Sequence, residues 1–235
     1  MSEERIDNAF SESGTLYQVE YALEGAKKGM SCVVVLGDAG IAMAASKRVP
    51  EKLMDPSYIT SFFSIGPNTV GVISGYPMDV QDTAMKMKKK FNDLEYELGQ
   101  LCPPDILARH MSDGFQILTQ ENSRRLTAVN VAIAGYDRGK SALYHTDSSG
   151  VLFPYRGVAF GEGAAVMTKK LERIYKKNTT NEEILEIALE TLTEALGTDY
   201  LATNVELAIL TEGHSLRRIA TDEIDSLLVR IAEKD

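Results

Sequence analysis

SGTLYQVEYALEGAKKG, residues 13–29, sets the reading of the whole chain. Leu16, Val19, Leu23 and Ala26 recur at steps of three, four and three, so they line one face of an α-helix and leave Gln18, Glu20, Glu24 and Lys27 elsewhere. Thr15, followed three positions later by Gln18, has the form of a capping box, and Gly29 suits a helix end. The spacing thus predicts a helix with a start, a stop and one face to bury. It stands ahead of the first strand-like segment, so its apolar face is open to another chain.

Before this helix, residues 1–12 are polar except for Phe10, and read as a mobile tail with Phe10 anchoring its base. After it, SCVVVLGD (31–38) and IAMAAS (41–46) meet at Gly37 to Gly40 as a hairpin, and SFFSIG (61–66) and TVGVISG (69–75) form a second around Pro67 and Asn68. Pro77 opens a long helix carrying Met78, Ala84, Met85, Met87, Phe91, Leu94 and Leu98. Pro103 and Pro104 open another, with Leu107, Phe115 and Leu118 on its apolar side. Four runs between 127 and 163 read as a second set of four strands. Helices over 164–176 and 182–196, a strand at 204–210 and a helix at 222–232 complete the chain. Two antiparallel sheets with helices outside them would bury every apolar face, so the expected class is α+β, a four-layer αββα sandwich.

With 235 residues, 44% apolar content and 7 prolines, one sizeable core and a single domain over 1–235 are expected: tail 1–12, helix 13–29, sandwich 30–235. A net charge of −9 disfavours nucleic acid or an anionic membrane as the main partner. The run Lys86, Lys88, Lys89, Lys90 is a local exception, read as a solvated helix face. Cys32 and Cys102 lack metal-ligand spacing and suit a reducing compartment. His110, His145 and His214 lie far apart, and neither a metal nor a cofactor is expected. GVAFGEGAA (157–165) lacks the lysine of a phosphate loop and reads as a strand-to-helix turn.

FSESGTLYQVEYA (10–22) closely resembles the N-terminal signature of proteasome alpha subunits. The loop KRVPEKLMD, VISGYPMD (72–79), LTQENSRR (118–125), IAGYD (133–137) and TDSSG (146–150) follow in the family's order, so the resemblance spans nearly the whole chain. It implies the N-terminal-nucleophile hydrolase fold in seven-membered rings with other alpha subunits. It also implies beta subunits and regulatory activator particles as partners, a part in ubiquitin-dependent degradation, and a location in cytoplasm and nucleus. Within the family, VPEKLMD (49–55) and EIDSLLVRIAEKD (223–235) point to the alpha-one position of a eukaryotic ring.

Catalysis in this fold needs a Thr, Ser or Cys freed at an amino terminus, with a nearby lysine managing protons. Gly14-Thr15 reproduces the cleavage context of catalytic beta relatives, which leaves a beta-type threonine or serine peptidase as the alternative. Aligned on the first strand, however, Met30 takes the nucleophile's place, Ser46 that of the acidic residue and Ser61 that of the lysine. A thioether cannot be deprotonated to attack a carbonyl, and two serines supply no charge pair. The expectation is a subunit with no catalytic residue.

The resemblance assigns the gate to Glu3, Glu4, Arg5, Phe10, Glu12 and Gly14. Of the family's aromatic-Asp-Arg triplet only Arg5 remains, and Glu12 replaces a common proline. The same resemblance makes Leu16, Tyr17, Val19, Tyr21 and Leu23 the ring-interface contacts of the opening helix. It makes Ser61 and Gly75 part of the activator pocket, with Ser61 offering a neutral hydroxyl where relatives place a lysine.

Overall fold

The computed structural model describes residues 9–177, 179–197 and 201–233. In order they form α1 (Tyr17–Lys27), β1 (Cys32–Leu36), β2 (Ile41–Ser46), β3 (Phe62–Gly66), β4 (Thr69–Gly75), α2 (Pro77–Leu98) and α3 (Pro104–Leu118). Then come β5 (Val129–Asp137), β6 (Lys140–Asp147), β7 (Leu152–Pro154), β8 (Gly157–Phe160), α4 (Ala164–Ile174), α5 (Asn181–Leu196), β9 (Val205–Leu210), β10 (Arg217–Arg218) and α6 (Thr221–Ala232).

Both expected hairpins form, with Leu36 opposite Ile41 in one and Gly66 opposite Thr69 in the other. They part company, however. β1 and β2 join the sheet β10-β9-β2-β1-β8, while β3 and β4 join β3-β4-β5-β6-β7. The expected second set of four strands is therefore corrected: β5, β6 and β7 extend the second hairpin, and β8 returns to pair with β1. Alternation explains the split. Along β1, Cys32 and Val34 face the other sheet, whereas Val33 and Val35 face helices, so this hairpin is apolar on both sides and needs cover on both.

Three apolar layers follow. Val34, Ile41, Met43, Phe62, Val72, Ala132 and Leu143 fill the space between the sheets. Val33, Ala42, Leu189, Leu192 and Leu207 pack the first sheet against α4, α5 and α6. Ile73, Met87, Phe91, Leu107 and Ile133 pack the second against α2 and α3. The arrangement is the four-layer αββα sandwich. Among these, each fully buried Val, Leu, Ile, Met or Phe stabilises the fold by about 1.5–3 kcal/mol before conformational entropy is subtracted.

The capping box sits elsewhere than expected. At α1 the N-cap is Leu16, with no side-chain hydrogen bond. The preceding turn has already used the local donors: Ser11 Oγ accepts the Thr15 N–H at 2.9 Å, and the Ser11 N–H donates back to the Thr15 carbonyl at 2.9 Å. Thr15 is thus a turn residue, and the helix starts two positions later. A capping box forms instead at α5, where Thr180 Oγ1 accepts the Glu183 N–H (3.3 Å) and the Glu183 carboxylate accepts the Thr180 N–H (2.7 Å).

Candidate functional site

The junction ahead of β1 is held by close backbone approaches. A Cβ on Gly29 would lie 2.3 Å from the Gly75 nitrogen, and one on Gly161 would lie 2.1 Å from the Met30 carbonyl oxygen. Gly29 is therefore required by proximity to β4 rather than by a left-handed helix end. Around it, the Glu162 N–H donates to the Gly29 carbonyl at 3.0 Å and Ser74 Oγ donates to the Met30 carbonyl. Ser31 Oγ donates to the Glu162 carbonyl at 2.7 Å, so that hydroxyl is committed to structure.

The three aligned positions converge here. Ser61 Oγ lies 3.8 Å from Met30 Sδ, and Ser46 Oγ accepts the Ser31 N–H at 3.0 Å. Beneath them Cys32 is fully buried, and burial pushes its thiol up to about 12, which keeps it protonated and unreactive near neutrality. Hydroxyls, a thioether and an un-ionised thiol make a neutral cluster.

Beside this cluster lies a cavity of about 340 Å³ whose walls include Met30, Ser61, Ser74 and Gly75 with Met54, Tyr58, Phe63 and Val80. Ser61 and Gly75 thus share one cavity. Its lining cation is Arg48, which makes only a 3.3 Å contact with Glu162, both side chains being exposed. Sequence reasoning did not find Arg48, because nothing in KRVPEK sets it apart from its basic neighbours.

One wall of the cavity is anchored by ionic contacts. The Glu206 carboxylate accepts the Thr60 hydroxyl (2.7 Å) and the Ser61 N–H (3.2 Å), and it pairs with Arg218. Arg218 also donates to the Phe62 carbonyl at 3.0 Å, and burial lowers its pKa. These contacts join β9 and β10 of one sheet to the start of β3 in the other. β10 has no counterpart in the sequence reading, because a two-residue edge strand has too little pattern to be seen.

The opening helix lies on the ends of β4 and β5. Its buried residues are Ala22 and Ala26, and a Cβ on Gly25 would sit 3.3 Å from that of Ala128. Leu16, Val19 and Leu23, expected as the buried face, are only half-buried, because the small residues allow the closest approach. Tyr17 and Tyr21 are 50% and 56% exposed and stack on each other at 6.3 Å. Farther back, Gly14 takes φ +79° in the Ser11–Thr15 turn and Glu12 is exposed. Phe10, expected to anchor the tail, is 74% exposed. None of Phe10, Glu12 and Gly14 lines the Met30 cavity. Glu3, Glu4 and Arg5 lie outside the described residues. Among the described residues no helix is long and apolar enough to cross a membrane, and no three His, Cys, Asp or Glu side chains are grouped to hold a metal ion.

A helix-flanked double sheet with its first strand entered through Gly29-Met30 defines an αββα sandwich of the N-terminal-nucleophile type. The chain belongs to the proteasome subunit family, whose model, described as "Proteasome subunit", matches residues 26–210. It is similar to "Proteasome subunit alpha" of Methanococcus maripaludis, 32% identical over 98% of this chain and 89% of the relative. It is also similar to the protein of the same name in Methanocaldococcus jannaschii, 30% identical over 97% and 87%. A third relative is "Probable proteasome subunit alpha type-1" of Schizosaccharomyces pombe, 28% identical over 99% and 97%.

Proposed function

We propose that this chain is a non-catalytic subunit of the alpha ring of a 20S proteasome core particle, at the alpha-one position and most like the eukaryotic alpha type-six subunit. Residues 1–12 serve as the gate tail, 13–29 as the interfacial helix and 30–235 as the sandwich. Its partners are neighbouring alpha subunits, beta subunits and activator particles in ubiquitin-dependent degradation, in cytoplasm and nucleus. The narrower ring position is supported by VPEKLMD and EIDSLLVRIAEKD, and by the neutral Ser61 in the cavity.

The observation that carries the non-catalytic reading is the Met30–Ser61 contact at 3.8 Å, in the place where an N-terminal-nucleophile enzyme keeps its nucleophile and lysine. Among the described residues no lysine lines this cavity. The beta-type alternative would need Thr15 freed, yet that residue's N–H is tied to Ser11 in a turn before a helix, away from the cavity walls. Mass spectrometry of the chain expressed alone should show an unprocessed Met1 or Ser2 terminus, without peptidase activity. A new terminus at Thr15 with threonine-dependent turnover would reverse the reading. Co-expression with other alpha and beta chains should draw it into a ring, whose reconstruction reads the position directly.

A further inference from the structure

Among the described residues the two sheets have four edge strands, and three of them are guarded against further pairing. β10 consists of two arginines, β7 ends in Pro154, and β3 carries a register shift between Ser64 and Gly66. β8, with the sequence GVAF, has no charge, no proline and an unbroken register against β1. Residues of this undefended strand line a cavity of about 520 Å³, larger than the one at Met30.

The open backbone groups of β8 follow from its pairing. The Leu36 N–H donates to the Arg156 carbonyl at 2.8 Å, so Arg156 and Val158 turn their backbone groups toward β1. Gly157 and Ala159 therefore turn theirs outward; both are half-buried and both line the cavity. Among the described residues no strand pairs with that side. The facing wall is α4, where Thr168, Leu171 and Glu172 share one side of the helix. A Cβ on Gly157 would lie 3.1 Å from Leu171 Cδ2, and Glu172 has no ion pair among the described residues. On the Val158 side the wall is aromatic: the rings of His145 and Tyr155 meet edge to face at 5.9 Å.

We propose that β8 receives an extended peptide of another protein as a further antiparallel strand, laid in the groove between β8 and α4. Antiparallel pairing continues the order of the sheet and satisfies both outward N–H groups and both outward carbonyls through only two peptide residues, separated by one. Side-chain alternation then sets the sequence that fits. The residue between those two lies opposite Val158, on the side of His145 and Tyr155, and calls for an aromatic ring. The residue opposite Gly157 lies over α4, where the glycine leaves room and the unpaired Glu172 calls for a lysine. The groove shares no lining residue with the cavity at Met30, and its occupation does not depend on the assembly reading above.

Fluorescence-anisotropy titration of the full-length chain with a labelled Val-Tyr-Lys-Val peptide, blocked at both ends, tests this. Saturable binding is expected, weakened about tenfold when the lysine N–H is methylated, because that N–H faces the Gly157 carbonyl. Methylating the tyrosine N–H, which faces away from β8, should change the affinity less than about twofold. In the protein, Ala159→Pro removes an outward donor and should also weaken binding about tenfold, with the melting temperature kept within a few degrees because that N–H bonds to nothing in the chain. Absence of saturable binding, or equal affinity for the two methylated peptides, would overturn the proposal whether or not the proline variant folds. A concentration-dependent dimer of the free chain that Ala159→Pro abolishes and the peptide does not dissociate would also overturn it, and would give this edge to a second copy of the chain.

Discussion

Asp79, in the first turn of α2, takes both terminal nitrogens of Arg125 at 2.6 and 2.8 Å, and with the second oxygen also accepts the Ala128 N–H at 2.8 Å. One carboxylate thereby fixes the start of a helix and the entry to β5, the platform on which α1 rests. The Asp79 side chain is 9% exposed and lies at a helix N-terminus, where negative charge is favoured. Burial alone would raise its pKa, but the Arg125 and Ala128 hydrogen bonds prevail and hold the carboxyl below its ordinary value.

Asp79→Ala is expected to cost about 2 kcal/mol, because it leaves the Ala128 N–H and Arg125 without their acceptor. Urea denaturation at neutral pH measures it. Since the folded-state pKa is depressed, the contribution of Asp79 is fully present above the unfolded value near 4 and is lost as pH falls through the folded one. The gap between parent and variant should therefore close in acid.

His145 gives a second pH response at higher pH. Its ring lies against Phe160 (5.2 Å) and Tyr155 (5.9 Å), Nε2 is buried without a hydrogen-bond partner among the described residues, and burial lowers its pKa to about 4. The unfolded chain protonates near 6.5 and the folded one does not, so stability is highest above that value and falls as pH drops toward 4. Between pH 7.5 and 5 the loss from this group should be about 1–2 kcal/mol. His145→Phe should remove that part of the slope in denaturation curves taken at the two pH values.

Gly29→Ala should destabilise the chain by about 2 kcal/mol or more, since the added methyl meets β4 backbone instead of a yielding side chain. Gly14→Ala tests a different cost. Nothing lies near that position, so only the strain of φ +79° opposes the methyl, at about 1 kcal/mol. Thermal melts of the two variants should separate these effects.

The exposed Tyr17–Tyr21 pair predicts a split between stability and assembly. Tyr21→Glu should leave the melting temperature of the free chain within a few degrees while reducing its incorporation into a co-expressed ring. Val19→Asp, half-buried, should act in the same direction with a larger stability cost. Native mass spectrometry beside calorimetry reads both quantities.

On the proposed activator contact, Ser61→Ala should change activator binding less than about twofold, because a neutral hydroxyl facing a thioether makes no charge-assisted contact. Pull-down of a purified activator by the assembled ring checks this.

Much of the fold could be read from periodicity. Runs such as TVGVISG and VNVAIAGYD are long, apolar and bounded by turn residues; the first has the limits read for it, 69–75, and the second starts at 129, two residues after the run that begins at 127. Sheet membership could not be read, because it is decided by partners far along the chain, β8 and β9 for the first hairpin and β5 for the second. The capping error at Thr15 has a local cause: T-x-x-Q and T-x-x-E are equivalent patterns, and the serine at position 11 decided which one became a cap. Ser61 and Gly75 were named from a resemblance, and the structure sets them in one cavity. Arg48, Glu206 and Arg218 were missed because their significance lies in pairings across long sequence separations.

The ion pair between Glu206 and Arg218 also sets an order of events during synthesis. The strands of the second sheet are all made before residue 155, yet the latch that holds their edge to the first sheet comes from residues 206 and 218. Until residues 205–210 are made, Thr60 and Ser61 have no carboxylate to hold them and β2 has an open edge awaiting β9, and until residue 218 is made that carboxylate lacks its arginine. A chain cut short before Arg217 would carry almost every core residue and still expose a strand edge, a shape more prone to aggregate than to assemble.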